Sequence, residues 1–259
     1  MTALLVVLAS TVAIAAAIRS TWSPCGLSML STITPIGERG RHNRYYGTAA
    51  WFILGAVLGG ATLGAGTALL AAGVDALDLS GEALAAVAAG LAAGTLASDL
   101  ELGGFRLPSH TRQVNETWLD QYRSWVYGGG FGWQIGVGLA TYVTTAAVYL
   151  MVALAALTAS PLAAFVIVTG FGLVRGLAVL LGRTLTSPPR LMALHRRLEE
   201  LLPSAQRAVV LVQAAVLTVA AGAAWGPVPA VVFGTVALGA ALGRRPRPAT
   251  RPGPRTVSA

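Results

Sequence analysis

Long apolar stretches run through most of this chain and leave little room for a water-soluble fold. Of its 259 residues, 55% are hydrophobic and only 11% are charged, and the mean hydropathy is +0.68. A soluble domain carries about 25% charged residues, whereas a membrane-crossing helix needs about 20 mostly apolar residues in a row. The sequence therefore predicts an all-α fold, a polytopic helical membrane bundle.

Seven stretches are long enough to cross a bilayer. The predicted spans cover residues 3–25, 45–73, 82–98, 133–157, 161–182, 208–225 and 228–243. We therefore expect six to seven transmembrane helices over residues 1–243. The remaining tail, 244–259, is rich in Pro and Arg, and we expect it to be disordered.

All 18 basic residues are arginines, and their positions predict how the spans are oriented. Sixteen of them lie in every second loop and in the tail, while the alternate loops carry none. Basic residues accumulate on the cytoplasmic side. We therefore expect a multi-pass protein of the bacterial cytoplasmic (inner) membrane, with its N-terminus outside and its C-terminus cytoplasmic. The formal charge of +8 is explained in this way and does not indicate nucleic-acid binding.

The first apolar run has the length of a signal peptide. It lacks a basic segment before Leu4, however, and the nearest loop arginines follow it. A signal peptide has the opposite polarity, so we expect a retained span.

The first apolar run is also broken by proline. From residue 3 to 36 it would measure about 50 Å as one helix, which is too long for a plain crossing. Pro24 lacks a backbone donor and interrupts the helix, and Cys25, the sole cysteine, follows it. Broken helices at membrane depth are where transporter sites occur. Two interpretations remain: Cys25 faces a central cavity, or it is an inert, buried thiol in a kinked helix.

The segment Ser23-Pro24-Cys25-Gly26-Leu27-Ser28-Met29-Leu30 closes the first span and is followed by a proline and a short charged loop. It resembles the start of the CcdA/DsbD transmembrane family, which belongs to the wider LysE superfamily. That family carries electrons from cytoplasmic thioredoxin to extracytoplasmic thiol acceptors, including those of cytochrome c biogenesis. The resemblance implies a redox role for Cys25 and a thioredoxin-like or cytochrome-maturation protein as partner.

The resemblance also implies two inverted three-helix repeats, each with a proline-broken first helix that bears one cysteine. Repeat one would cover about 1–98 and repeat two about 131–225, with 228–243 as an extra helix. The second cysteine of the family would fall near Gly132-Trp133-Gln134-Ile135-Gly136-Val137-Gly138, which keeps the Gly-Trp but has neither proline nor cysteine. A dithiol relay needs two thiols, so one thiol cannot complete that cycle alone.

Three functions are therefore open. The first is a thiol-redox or cytochrome c biogenesis-related membrane protein, at most a thiol-disulfide electron carrier and not a classical enzyme. The second is a LysE-like transporter of a small solute or metal ion, with Cys25 as a soft ligand. The third is a non-catalytic structural subunit. The sequence predicts no cofactor, and its histidines, His42, His110 and His195, fall in three separate loops without metal-site spacing.

Besides Pro24 and Cys25, four residues are candidates for the substrate site or cavity: Ser23, Arg19, Gln134 and Arg175. A charge at membrane depth costs about 2.5–3.5 kcal/mol on insertion scales, so it faces the interior or snorkels to the interface. Arg175 would either snorkel or lie beside Cys25, whose thiolate a cation favours. Gln134 and Gln213 would hydrogen-bond between helices.

Two further patterns concern helix packing. Pairs of glycines with small-xxx-small spacing predict close helix contacts in spans two, four and five. The pairs are Gly55 and Gly59, Gly60 and Gly64, Gly132 and Gly136, and Gly172 and Gly176. The segment 189–201 is amphipathic, and we expect a surface connector or a helix lying in the membrane interface. The aromatic residues Trp118, Tyr122, Trp125 and Tyr127 predict an interfacial belt before span four.

Overall fold

The computed structural model describes residues 1–108, 118–139 and 141–243, and this part of the chain is helical without strands. The tail predicted at 244–259 and His110 lie outside the described residues. Eleven α-helices are described, joined by short 3₁₀ turns at Ser20–Trp22, Leu102–Gly104 and Ala178–Thr184. They are α1 (Thr2–Arg19), α2 (Pro24–Thr32), α3 (Pro35–Gly40), α4 (Tyr45–Ala76), α5 (Gly81–Asp99), α6 (Trp118–Gln121), α7 (Ser124–Val137), α8 (Ala147–Leu157), α9 (Pro161–Leu177), α10 (Pro188–Trp225) and α11 (Pro227–Gly243).

Serine- or threonine-proline pairs begin several of these helices. Ser23-Pro24, Thr34-Pro35 and Ser160-Pro161 each place a hydroxyl at the N-cap and proline in the first turn. The hydroxyl accepts a backbone N–H three residues on, at 3.1 Å from Ser23 Oγ to Gly26 and 3.0 Å from Thr34 Oγ1 to Gly37. Proline suits this position because its missing N–H would have no helical partner there.

Five helical segments among the described residues are long and apolar enough to cross a membrane: Thr2–Trp22, Tyr45–Ala76, Gly81–Asp99, Pro161–Thr184 and Pro188–Trp225. Large apolar side chains project from their outer faces, with Leu69 and Leu162 more than 70% exposed. Such surfaces are stable in lipid and not in water. The prediction of a polytopic helical bundle is confirmed, and the chain is a multi-pass membrane protein.

The fourth predicted span differs from the expectation of one helix over 133–157. Its helical part begins earlier, at Ser124, and it consists of two pieces, α7 and α8. Gly138 ends α7 with a φ of 72°, a left-handed conformation that glycine adopts at little cost. The bundle thus has an interruption at Ser20–Trp22, before Pro24, and another after Val137.

The glycine pairs make the close contacts that their spacing predicts. Helix α4 packs against both α7 and α9. A Cβ atom on Gly55 would collide with the carbonyl oxygen of Gly129, and one on Gly136 with that of Ala56. One on Gly60 would lie 3.0 Å from the Cα atom of Gly172. Backbones in lipid approach this closely only where side chains are absent.

Two predictions about the polar segments need correction. The amphipathic segment 189–201 is neither a separate connector nor a free interfacial helix, because it is the first part of the 38-residue helix α10. Its apolar face packs on the bundle, where Trp22 Nε1 donates to the carbonyl oxygen of Leu198 at 2.7 Å. Of the predicted aromatic belt, Trp125 is exposed, but Tyr127 is fully buried because its hydroxyl is bound inside the bundle.

Candidate functional site

The proline break in the first span is closed by local hydrogen bonds. Helix α1 ends at Arg19, and the chain makes one 3₁₀ turn before α2 begins at Pro24. Ser23 N donates to the carbonyl oxygen of Ser20 at 3.0 Å, and Leu27 N donates to that of Ser23 at 2.9 Å. Backbone groups freed in a membrane must be satisfied within the protein. These bonds supply partners at the break, so the interruption is a defined turn.

Cys25 lies in the first turn of α2, directly after this break. Its side chain is 3% exposed. The positive end of the α2 dipole is at the same place. In addition, the guanidinium of Arg175 on α9 interacts electrostatically with Cys25. The fold therefore brings together two candidates that are 150 positions apart in the sequence, and Arg175 faces the interior and does not snorkel.

Arg175 also connects the two interrupted helices. It is 4% exposed, and its guanidinium lies 5.6 Å from the ring centroid of Phe171, a cation–π distance. A Cβ atom on Gly138 would be 3.5 Å from Arg175 Nη1. The break after α7 thus lies beside the arginine that interacts with Cys25.

The other candidates occupy different positions. Ser23 is fully buried and caps α2 through its hydroxyl. Gln134 is half-buried on α7. Arg19 lies at the end of α1 and faces a different polar group, Asp99.

Asp99, which the sequence interpretation treats only as a loop boundary, is the centre of that group. Its carboxylate accepts hydrogen bonds from Thr145 Oγ1, from Ala146 N at 2.7 Å and from Gln213 Nε2 at 2.6 Å. Gln213 therefore makes the inter-helix bond that its position suggests, between α10 and α5. Asp99 also caps the N-terminus of α8, where backbone donors lack helical partners.

Glu38 is the second buried carboxylate that the sequence interpretation missed. It lies on the short helix α3 and is 0% exposed. It accepts hydrogen bonds from Thr48 Oγ1 at 2.6 Å and from the Tyr127 hydroxyl at 2.7 Å, and it pairs with Arg41 at 3.2 Å. Asn43 Nδ2 donates to the same tyrosine oxygen at 3.3 Å. This network joins α3, α4 and α7.

One feature of the sequence could have drawn attention to both Glu38 and Asp99. Acidic residues next to membrane spans are rare and are usually paired or functional. Glu38 and Asp99 each lie within a few residues of an apolar stretch, which is the position to examine first. As for metals, no group of three His, Cys, Asp or Glu side chains comes together anywhere in the described ranges.

The chain is similar to methylamine utilization proteins MauF of several organisms. It is 34% identical over 184 residues to the methylamine utilization protein MauF of Paracoccus denitrificans, which covers 64% of this chain and 60% of that protein. It is 34% identical over 173 residues to MauF of Paracoccus versutus, covering 64% and 61%. For MauF of Methylorubrum extorquens the identity is 31% over 160 residues, covering 59% and 54%.

The chain thus spans about 60% or less of the length of these curated relatives. No protein-family model matches it, and no solved structure matches it either.

Proposed function

We propose that this chain is a membrane accessory protein of methylamine utilization, or of a closely similar process, and that it acts through the Cys25 thiol. The observation that carries the proposal is the position of Cys25, at the start of a helix inside the bundle and in electrostatic interaction with the buried Arg175. The similarity to MauF supports the cellular process. The CcdA/DsbD-like segment around Pro24 supports the chemistry.

Two features of the fold surround Cys25. The residue lies in the first turn of α2, and the guanidinium of Arg175 interacts with it electrostatically. Because the side chain is only 3% exposed, a partner must reach the thiol through an opening of the surrounding helices.

A single thiol limits the reaction that this protein performs. The Cys25 thiolate attacks one sulfur of a partner's disulfide, which breaks that bond and releases the other sulfur as a thiolate that takes up a proton. A second thiolate of the partner then attacks the mixed disulfide, forms a new disulfide in the partner and returns Cys25. The cycle rearranges disulfides without net oxidation or reduction, so no external electron source is needed.

We also propose that the bundle is built from two repeats. Two three-helix repeats, about 1–98 and 131–225, followed by an extra helix at 228–243, accommodate both interrupted helices. The arginine distribution supports an outside N-terminus and a cytoplasmic C-terminus.

The proposal is tested by deleting the gene in the native host and restoring it as wild type or as Cys25→Ser. We expect wild type to restore growth on methylamine and Cys25→Ser to fail, with equal amounts of protein in the membrane. Thr235→Ser on α11, whose hydroxyl bonds only within its own helix, is the matched control and should behave as wild type. Full growth with Cys25→Ser would contradict the thiol mechanism, and unimpaired growth of the deletion strain would contradict the cellular process.

The two interrupted helices favour a second function, transport of a small solute or metal ion by a LysE-like mechanism. Transporter sites form where half-helices meet at membrane depth, and here both breaks approach Arg175. Flux measured in vesicles separates the two functions. Flux that persists after the thiol is blocked supports transport, and its absence supports the thiol mechanism.

A further inference from the structure

A cavity of about 330 Å³ opens at the end of α5, apart from the residues around Cys25. Several parts of the chain form its wall. Arg19 comes from α1, Asp99 from α5, Thr144 from the segment before α8, and Gln206 from α10. Cys25 is not part of this wall.

Groups of the protein itself already donate hydrogen bonds to the Asp99 carboxylate. Thr145, the backbone of Ala146 and Gln213 donate to its two oxygen atoms. An acceptor with three donors in place has little capacity for a ligand. Asp99 therefore holds the wall of the cavity together and does not select what enters it.

Two hydrogen-bond donors in the wall of the cavity differ from Asp99, because their hydrogen bonds are not satisfied by the described part of the chain. Arg19 Nη1 and Thr144 Oγ1 are both buried, and neither has a hydrogen-bond partner among the described residues. A guanidinium can only donate hydrogen bonds, and a hydroxyl can donate one. Buried polar groups are almost always paired in native proteins, and unpaired ones require an explanation. The matching partner for both is an oxygen acceptor bound in the cavity.

The formal charges of the lining balance. The lining includes two arginines, Arg19 and Arg106, and two acids, Asp99 and Glu101. Arg106 pairs with Glu101 at 2.6 Å, and Arg19 interacts with Asp99 through space. The Nη1 atom of Arg19 is nevertheless left without an acceptor among the described residues. What the wall lacks is therefore an acceptor oxygen at this guanidinium.

We propose that the cavity binds an oxyanion group, a carboxylate or a phosphodiester, through the unpartnered donors of Arg19 and Thr144. Guanidinium groups favour such oxyanions because their planar fork matches two oxygen atoms. The phosphodiester of an anionic lipid and a free monocarboxylate share this chemistry. The site goes beyond the role of Cys25 and does not depend on it.

Binding is measured on the full chain purified in detergent, by native mass spectrometry and by the shift in melting temperature. The probes are phosphatidylglycerol for the lipid source and monocarboxylates from acetate to hexanoate for the soluble source. Arg19→Gln should weaken binding roughly tenfold or more, and Thr144→Val roughly threefold, since each removes a donor. Arg197→Gln, a matched change at an exposed arginine of α10, should leave binding unchanged.

Binding of either probe that weakens in Arg19→Gln supports the proposal and identifies the source of the anion. If Arg19→Gln does not fold, Arg19→Lys and Thr144→Val serve in its place. Lysine keeps the charge but loses the fork, so it should bind with intermediate affinity. Equal affinity in all folded variants, or no binding of any probe to wild type, overturns the proposal.

Discussion

At the residue scale, the polar groups inside this bundle fall into two kinds. Glu38 and Asp99 are surrounded by donors and join helices to one another. Arg19 has a buried nitrogen without a partner, and Arg175 rests on an aromatic ring beside a thiol. Satisfied groups stabilise a fold, whereas incompletely satisfied ones mark places where a ligand or a reaction belongs.

The burial of Cys25 predicts slow chemical modification. With only 3% of the side chain exposed, a maleimide reaches the thiol only when neighbouring helices open. We expect alkylation of the folded protein in mild detergent to be at least about tenfold slower than after unfolding in SDS. The reaction is followed by mass spectrometry, since one cysteine gives one adduct. Equal rates in the two states would show that the thiol is accessible in the fold.

The Glu38 network predicts a large effect from a small change at Tyr127. Tyr127→Phe removes the hydroxyl that donates to the buried carboxylate. It should lower the free energy of unfolding by about 1–3 kcal/mol, because a buried charged acceptor loses a donor. Tyr46→Phe makes the same change at a tyrosine that is 71% exposed and should be neutral. The measurement is SDS-induced unfolding, and similar values for both variants would contradict the stabilising role of the network.

At the element scale, helix ends and helix contacts follow different rules. Helices begin where a hydroxyl residue precedes proline, which is a local effect. The contacts of α4 with α7 and α9 depend on several glycines facing one another across helices. The long helix α10 extends past the membrane stretch, and Leu198 in its amphipathic first part accepts a hydrogen bond from Trp22 in the turn before α2.

The interface of α4 and α7 predicts a cost for even one added methyl group. Gly136→Ala would place its Cβ against the carbonyl oxygen of Ala56. We expect a loss of about 1–3 kcal/mol, as for other overpacked interiors. Gly66→Ala on α4, where a Cβ would meet no atom within 4 Å, should be neutral or slightly stabilising, since alanine favours helix. SDS unfolding compares the two, and equal stabilities would show that the helices separate easily.

At the scale of the whole molecule, the interruption of two helices is the main architectural feature. The breaks at Ser20–Trp22 and after Val137 lie on helices that both pack against α9. Helix α9 carries Arg175, so the residue that interacts with Cys25 lies between the two broken helices. The Asp99 cavity is formed by parts of α1, α5 and α10 together with the segment before α8.

The arginine distribution predicts the orientation of the whole bundle. In a Cys25→Ser background, a cysteine at Asp75, exposed at the end of α4, should react with a membrane-impermeant maleimide in intact cells. A cysteine at Arg197 on α10 should react only after the membrane is permeabilised. The reverse pattern would show that the N-terminus is cytoplasmic.

The sequence alone predicted the membrane class, some of the helix starts, such as Tyr45 and Pro161, and the close-packing faces. Apolar length, Ser-Pro and Thr-Pro pairs and glycine spacing are all local properties, and each acts on the helix that contains it. The tertiary structure decided which polar groups meet. Tyr127 binds Glu38 across 89 positions, and Gln213 binds Asp99 across 114. Such pairs leave no periodic signal, because they arise only when separate helices pack and exclude water from between them.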